Sequence, residues 1–163
     1  MDQKHTISVL VENKSGVLAS ISGLFSARGF NIDNLAVGET EDPTISRMTI
    51  GVTGDDMIIE QVCKQLNKLI DVIKVLDLTK EGYIERELIL IRINAPANKR
   101  SQILELIDIF EGKIAEVSQK FITVELTGDS DKVNSFIGLV SSFGIKELVR
   151  TGKIALAKSK AAK

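Results

Sequence analysis

The sequence predicts an α+β protein built of two ferredoxin-like (βαββαβ) domains. Three observations lead there. Apolar residues switch between a period of two and a period near 3.6 in the order strand, helix, strand, strand, helix, strand. The same order then recurs without obvious residue identity, and Lys80-Glu81-Gly82 punctuates the chain between the two runs. With 163 residues, 44% of them hydrophobic, the chain can fill one substantial core or two small ones.

In the first run, His5, Ile7, Val9 and Val11 alternate with Thr6, Ser8 and Leu10, a strand that Asn13-Lys14-Ser15-Gly16 interrupts. Val17, Leu18, Ile21, Leu24 and Phe25 follow at helical spacing, and Arg28-Gly29 closes the helix with the residue best suited to a left-handed cap. Asn31 to Glu39 alternates weakly as a second strand, with Leu35 and Val37 on one face. Asp42-Pro43 marks a turn, and Met48, Ile50 and Val52 form one face of a third strand. Gly54-Asp55 opens a helix whose stripe is Ile58, Ile59, Val62, Leu66, Leu69 and Ile70. A strand from Val72 to Leu78 completes a first domain, residues 1–79.

The second domain, residues 80–163, repeats the rhythm. Ile89, Ile91 and Ile93 mark a strand ending before Pro96, and Ile103, Leu106, Ile107 and Phe110 a helix closed by Gly112. Ile114 to Val117 and Phe121 to Leu126 read as strands, Val133, Phe136, Ile137 and Val140 as a helix, and Ile145 into Leu156 as one terminal strand. Domains of this size have one small core each and little stability in reserve. A sheet covered by helices on one side leaves its other face open to the other domain or to a second copy. A homodimer formed through sheets or sheet edges is therefore expected.

Composition removes several function classes. The formal net charge is −1, so no global field attracts nucleic acid or an anionic membrane. Lys153, Lys158, Lys160 and Lys163 alternate with Ala and Ser in a basic tail that reads as a frayed terminus. No apolar run approaches the ~20 residues that span a bilayer, and the first residues lack a signal or transit pattern. A soluble, cytoplasmic chain is expected. The single cysteine, Cys63, forms no intrachain disulfide and sits in a helical pattern as a small apolar group. The domain order also suggests an RNA-recognition module, but aromatic residues total 4% and the central strands carry Val, Met, Ile and Thr where bases would stack.

Catalytic groups are hard to find. His5 is the only histidine and makes neither a two-histidine metal site nor a triad by itself. Asp55-Asp56 begins a helix, where carboxylates meet the helix dipole favourably. Glu85 and Glu87 share a strand face opposite Arg86 and read as a solvated charge ladder. There is no Walker loop and no dinucleotide fingerprint, and Gly51 and Gly54 are isolated.

The stretch with chemistry is Glu12-Asn13-Lys14-Ser15-Gly16-Val17-Leu18, between the first strand and the first helix. Backbone N–H groups around Gly16, Val17 and Leu18 have no intrahelical acceptors and can receive a carboxylate. Gly16 has no side chain to block the approach. Asn13 offers a donor and an acceptor to a zwitterion, and Asn31-Ile32 adds a second neutral amide beside aliphatic surface. The same residues also suffice for a capped helix start and two turn asparagines.

Ser8 to Leu18, followed by Gly23-Leu24-Phe25-Ser26-Ala27-Arg28-Gly29-Phe30-Asn31-Ile32, resembles an ACT domain. Asp42-Pro43-Thr44-Ile45-Ser46-Arg47-Met48-Thr49-Ile50 narrows the resemblance to the regulatory small subunits of acetohydroxyacid synthase (acetolactate synthase). Glu85-Arg86-Glu87-Leu88, Ile114-Ala115-Glu116-Val117 and Gly144 to Gly152 are similar to that family as well. The resemblance implies a non-catalytic regulatory subunit that activates a catalytic large subunit and confers feedback inhibition by valine or a related branched-chain amino acid. It implies a dimer whose paired ACT domains hold the ligand between Asn13, Gly16, Val17 and Leu18 of one subunit and Asn31 and Ile32 of the other. Thiamine diphosphate, Mg²⁺ and FAD are implied on the catalytic subunit and no cofactor on this chain. Asp42 to Arg47 reads equally as a contact with that subunit, Arg47 meeting an acidic partner, or as a hairpin turn. Two other readings stay open at the level of residues: a free-standing amino-acid sensor acting on a transcription factor or transporter, and a small enzyme with an unrecognised nucleophile or base.

Overall fold

Strand β1 (Gln3–Glu12) carries Ile7, Val9 and Val11 buried on one face, as its alternation demands. A computed structural model describes residues 3–159. The chain continues through α1 (Val17–Ala27), β2 (Ile32–Glu39), β3 (Ile45–Gly54), α2 (Asp56–Leu66) and β4 (Val72–Asp77), then a 3-10 turn over Leu78–Lys80. The four strands form one sheet in the order β2-β3-β1-β4. All three pairings are antiparallel, with Ile7 opposite Ile50 and Val37 opposite Met48. Val17, Ile21 and Phe25 of α1 and Ile59, Val62 and Leu66 of α2 close the core against this face.

The local causes are legible. Gly29 at φ +72° ends α1 in the left-handed region that β-carbon sterics deny to most residues. Asp55 caps α2 by accepting from Met57 N–H at 2.8 Å. Gly54 leaves room for the Phe30 ring, since a β-carbon there would lie 2.4 Å from Phe30 Cε1.

The second run is β5 (Tyr83–Asn94), α3 (Arg100–Ile109), β6 (Lys113–Val117), β7 (Phe121–Gly128), α4 (Ser130–Val140), a 3-10 turn at Ser141–Phe143, β8 (Ile145–Arg150) and β9 (Ile154–Ala157). Its sheet has the order β6-β7-β5-β8, the arrangement of the first sheet again, with β9 also pairing β5. Ile89, Ile91, Ile93, Ile103, Ile107, Val124, Val133 and Phe136 form a separate core. The protein is thus α+β with a βαββαβ order in each half. Of the described residues, 3–84 and 154–159 form one compact unit and 85–153 the other. The sequence predicts a short linker near Lys80-Glu81-Gly82. The chain instead crosses twice, because β9 returns to the start of β5, where Lys158 N–H donates to Gly82 C=O at 2.9 Å.

Four local expectations need correction. Ile145 to Leu156 is two strands, broken at Thr151–Lys153 where Gly152 stands at φ +80°. Ile154–Ala157 is therefore a strand rather than part of a frayed tail, while Lys160 and Lys163 lie outside the described residues. Helix α2 stops at Leu66, so Ile70 falls in a turn and is 95% exposed, and Ile58 is exposed as well. Nor is the second face of the first sheet open throughout. Thr6, Ser8 and Thr49 are buried there; Thr6 N–H donates to Thr79 Oγ1 at 2.9 Å, and the Thr6 and Tyr83 hydroxyls lie 3.3 Å apart.

Candidate functional site

The β1–α1 junction has the form the sequence suggested. Gly16 stands at φ +86° as the residue before α1, no side chain caps that end, and a β-carbon on Gly16 would touch nothing within 4 Å. The first-turn N–H groups have no intrahelical acceptor by helix geometry. Val17 is buried in the core and offers the site only its backbone, while Leu18 is exposed. Asn13 is fixed by its own amide: Nδ2 donates to Glu39 Oε1 at 3.1 Å and to the Pro43 carbonyl at 3.0 Å. Its backbone N–H donates to Thr44 C=O at 2.7 Å, so the β1–α1 loop is tied to the β2–β3 turn.

Asn31 and Ile32 lie elsewhere. Ile32 is level with Val52, which is level with His5, whereas Asn13 lies eight residues further along β1 from His5. At ~3.3 Å per residue the two halves of the predicted site are about 26 Å apart within one chain. Asn31 Nδ2 donates to Asp33 Oδ1 at 3.3 Å, and Thr53 Oγ1 donates to Asp33 Oδ2 at 2.7 Å. The structure therefore keeps Asn13, Gly16, Val17 and Leu18 at the β1–α1 junction and places Asn31 and Ile32 at the far end of the same sheet.

Residues 7–74 match the family described as "AHAS small subunit-like ACT domain", and residues 86–159 match "Small subunit of acetolactate synthase". A "Probable acetolactate synthase small subunit" from Archaeoglobus fulgidus is 59% identical over 153 residues, covering 94% of this chain and 96% of that protein. The chain belongs to the acetolactate synthase small-subunit family. An acetolactate synthase small subunit from Aquifex aeolicus is 52% identical over 155 residues, covering 94% of this chain and 81% of its own. The crystal structure of the acetolactate synthase small subunit from Thermotoga maritima superposes with a TM-score of 0.88 at 40% identity, covering 98% of this chain and 99% of that one.

At the β1–α1 junction the structure shows residues that sequence reasoning missed. Glu39, the last residue of β2, is the partner of Asn13. A cavity of about 470 Å³ lies beside the junction, lined by Glu12, Asn13, Lys14, Pro43, Thr44, Ile45 and Ile73. It includes Asn13 but not Gly16, Val17 or Leu18. Lys14 pairs with Glu12 and stands 3.8 Å from Asp71. The Lys14 ammonium holds the Glu12 carboxyl below its ordinary range, and Glu12 raises Lys14 in return. The Asp42-Pro43 turn was the available signal for Pro43 and Thr44. Asp42 Oδ1 accepts from Thr44 N–H at 2.9 Å and Thr44 Oγ1 at 2.7 Å, and the hydroxyl above all lowers the Asp42 pKa. Of the segment from Asp42 to Arg47, residues 45–47 are strand, and Arg47 donates through Nη1 to Ser8 Oγ at 3.0 Å.

Elsewhere the family member's ionisable groups hold the fold together. His5 is buried, with Nε2 3.1 Å from Asp56 Oδ1 and Nδ1 3.7 Å from Asp77 Oδ2. Glu87 is no solvated rung: its carboxylate accepts from Arg150 Nε and Nη2, both at 2.8 Å, in a bidentate pair. Glu85 Oε1 accepts from Ser130 N–H at 3.1 Å at the start of α4, and its Oε2 pairs with Lys153 at 3.1 Å. Among the described residues no group of three His, Cys, Asp or Glu is placed to hold a metal, and no helix is long and apolar enough to cross a membrane.

Proposed function

We propose that the chain is a non-catalytic regulatory subunit that binds valine, or a related branched-chain amino acid, where two copies meet. In this reading it activates a thiamine-diphosphate-dependent catalytic large subunit and carries the feedback inhibition of the assembly. Thiamine diphosphate, Mg²⁺ and FAD belong to that partner, and this chain holds none of them. The observation that supports the reading is the separation of the site's two halves. Strand β2 is a sheet edge, and Leu35 and Val37 are exposed although they share the face of the buried Ile50 and Met48. Antiparallel pairing of two such edges about a two-fold axis at Ala36, midway along the strand, sets Ile32 of one copy level, to within one residue, with Glu39 of the other. Glu39 holds Asn13, so Asn31 and Ile32 of one copy arrive beside Asn13 and the α1 start of the other.

A ligand shared by two copies senses their relative orientation. Valine shifts the assembly toward a less active form only by binding the two forms with different affinity, typically by about 1–3 kcal/mol of coupling. Calorimetric titration of the purified chain with valine, against threonine as control, tests the site. Threonine has nearly valine's shape but brings a hydroxyl that an apolar pocket leaves unpaired. Saturable valine binding well above threonine supports the site; equal or absent binding of both removes it. A sedimentation mass of one chain at micromolar concentration removes the shared interface. Co-purification with a large thiamine-dependent partner separates this reading from a free-standing sensor, which binds valine without that partner.

A further inference from the structure

The hydrogen bonds of Asn13 decide which end of its side-chain amide faces a ligand. Both neighbours of Nδ2, the Glu39 carboxylate and the Pro43 carbonyl, are acceptors without a proton to give. The NH₂ group must therefore point at them, and the assignment of nitrogen and oxygen is forced by chemistry rather than chosen. Both amide hydrogens are spent, at 3.1 Å and 3.0 Å, and Oδ1 is left as an acceptor only. Glu39 makes the charge-assisted one of the two bonds. It sits on β2, the strand whose edge completes the site in the proposed dimer, and its carboxylate adds negative charge beside Asn13.

We propose that Glu39 is a positioning residue that locks Asn13 as an acceptor, so that the site selects α-ammonium compounds over their 2-oxo-acid analogues. This inference rests on the amino-acid-binding reading above. The ammonium of an amino acid donates to Asn13 Oδ1, whereas the 2-oxo group at the same carbon presents a second acceptor and leaves Oδ1 facing a lone pair. The distinction matters for a sensor in the synthesis of amino acids, because the last precursor of such a compound commonly differs from it only at that carbon. When Glu39 is removed, one amide hydrogen stays on the Pro43 carbonyl and the other is freed, so the NH₂ group can donate to an oxo group.

The test is a competition titration of valine against 3-methyl-2-oxobutanoate on the full chain and on Glu39→Ala and Glu39→Gln. The wild type is expected to bind valine and to prefer it over the oxo acid by about ten- to a hundredfold, the value of a hydrogen bond to a charged group. Glu39→Ala should weaken valine and shrink that preference to a few-fold without lowering Tm. Glu39→Gln still offers an acceptor to Asn13 Nδ2 and should keep most of it. The Asn13 side-chain amide resonances give a ligand-free readout: they should shift, and exchange faster with water, in Glu39→Ala and much less in Glu39→Gln. An unchanged preference in Glu39→Ala overturns the inference while the amino-acid site stands. Equal loss in both variants assigns selectivity to the charge of Glu39 and overturns the positioning role. A wild type that binds neither compound overturns the amino-acid site and this inference with it.

Discussion

Replacing Gly16 separates the backbone demand of the α1 start from the anion-binding role proposed for it. Gly16 stands at φ +86°, and a β-carbon there meets no atom within 4 Å, so substitution costs conformation and not packing. A non-glycine residue in the left-handed region costs about 1–2 kcal/mol, less for Asn or Asp. In a unit of this size that lowers Tm by roughly 4–8 °C per kcal/mol. Asn and Asp are nearly isosteric and share this cost, so Gly16→Asn and Gly16→Asp should melt close together. They differ in one charge. A carboxylate about 4 Å from a bound carboxylate is repelled by about 1 kcal/mol in bulk water and about 4 kcal/mol near a protein surface. Valine affinity in Gly16→Asp should therefore fall about fivefold to nearly a thousandfold below Gly16→Asn. Calorimetric titration at low ionic strength, repeated in 0.5 M salt, reads the difference, which should narrow as salt screens it. Equal valine affinity of the two variants would refute the placement of the ligand carboxylate at the α1 start.

Further outcomes can be checked without solving the complex. Asn31→Ala should weaken valine inhibition of the reconstituted enzyme while leaving activation largely intact; parallel loss of both would show that the residue serves assembly rather than sensing. Burial pushes the Cys63 thiol up to about 11, so its reaction with a disulfide reagent at pH 8 should be at least tenfold slower than that of free cysteine, and a rate equal to free cysteine contradicts its packing against the first core. Burial raises the Glu85 pKa, but the Ser130 hydroxyl and N–H and the Lys153 ammonium outweigh it and leave the carboxyl below its ordinary value. A depressed carboxylate contributes stability that is present above its unfolded pKa and lost as pH falls through the folded one. The Tm gap between wild type and Glu85→Gln should thus be open at pH 7 and close in acid below the ordinary carboxylate range; a gap of constant size would show that charge plays no part.

Much of the fold could be read from periodicity because most of its elements have one wet face. The stripe of α1 and the alternation of β1 each name a buried side, and Gly29 names a stop. Reading failed where burial has a non-local cause. Thr6 and Ser8 look solvent-facing by alternation, yet Tyr83, Thr79 and Arg47 supply them with hydrogen bonds from distant positions. Glu87 reads as a surface charge until Arg150, 63 residues away, is known to reach it. The candidate site divides in the same way. Gly16 and the free helix start are local and were visible, whereas Glu39 meets Asn13 only because the β2–β3 turn folds back onto the end of β1. Asn31 and Ile32 carry no signal of where they lie: ordinary strand geometry puts them about 26 Å from Asn13, a distance only the register reveals.

A site divided between copies ties ligand binding to association, and the size of the link can be stated. In the proposed dimer two equivalent sites form when β2 edges pair, and neither is complete in the isolated chain. At a valine concentration one hundred times Kd, each site stabilises the paired state by about 2.7 kcal/mol, a factor of about 100. Two independent sites multiply to about 10⁴ in the dimer dissociation constant. If the free chain dimerises near micromolar, saturating valine should hold it dimeric at sub-nanomolar concentration. Fluorescence-detected sedimentation along a dilution series, with and without valine, measures the shift directly. Threonine at the same concentration should move it far less, and Gly16→Asp should abolish most of the valine effect without dissolving the ligand-free dimer. A dissociation constant indifferent to valine, in a chain that demonstrably binds it, would place the whole ligand within one copy. That outcome would leave the α1 start and Asn13 in the site and remove Asn31 and Ile32 from it.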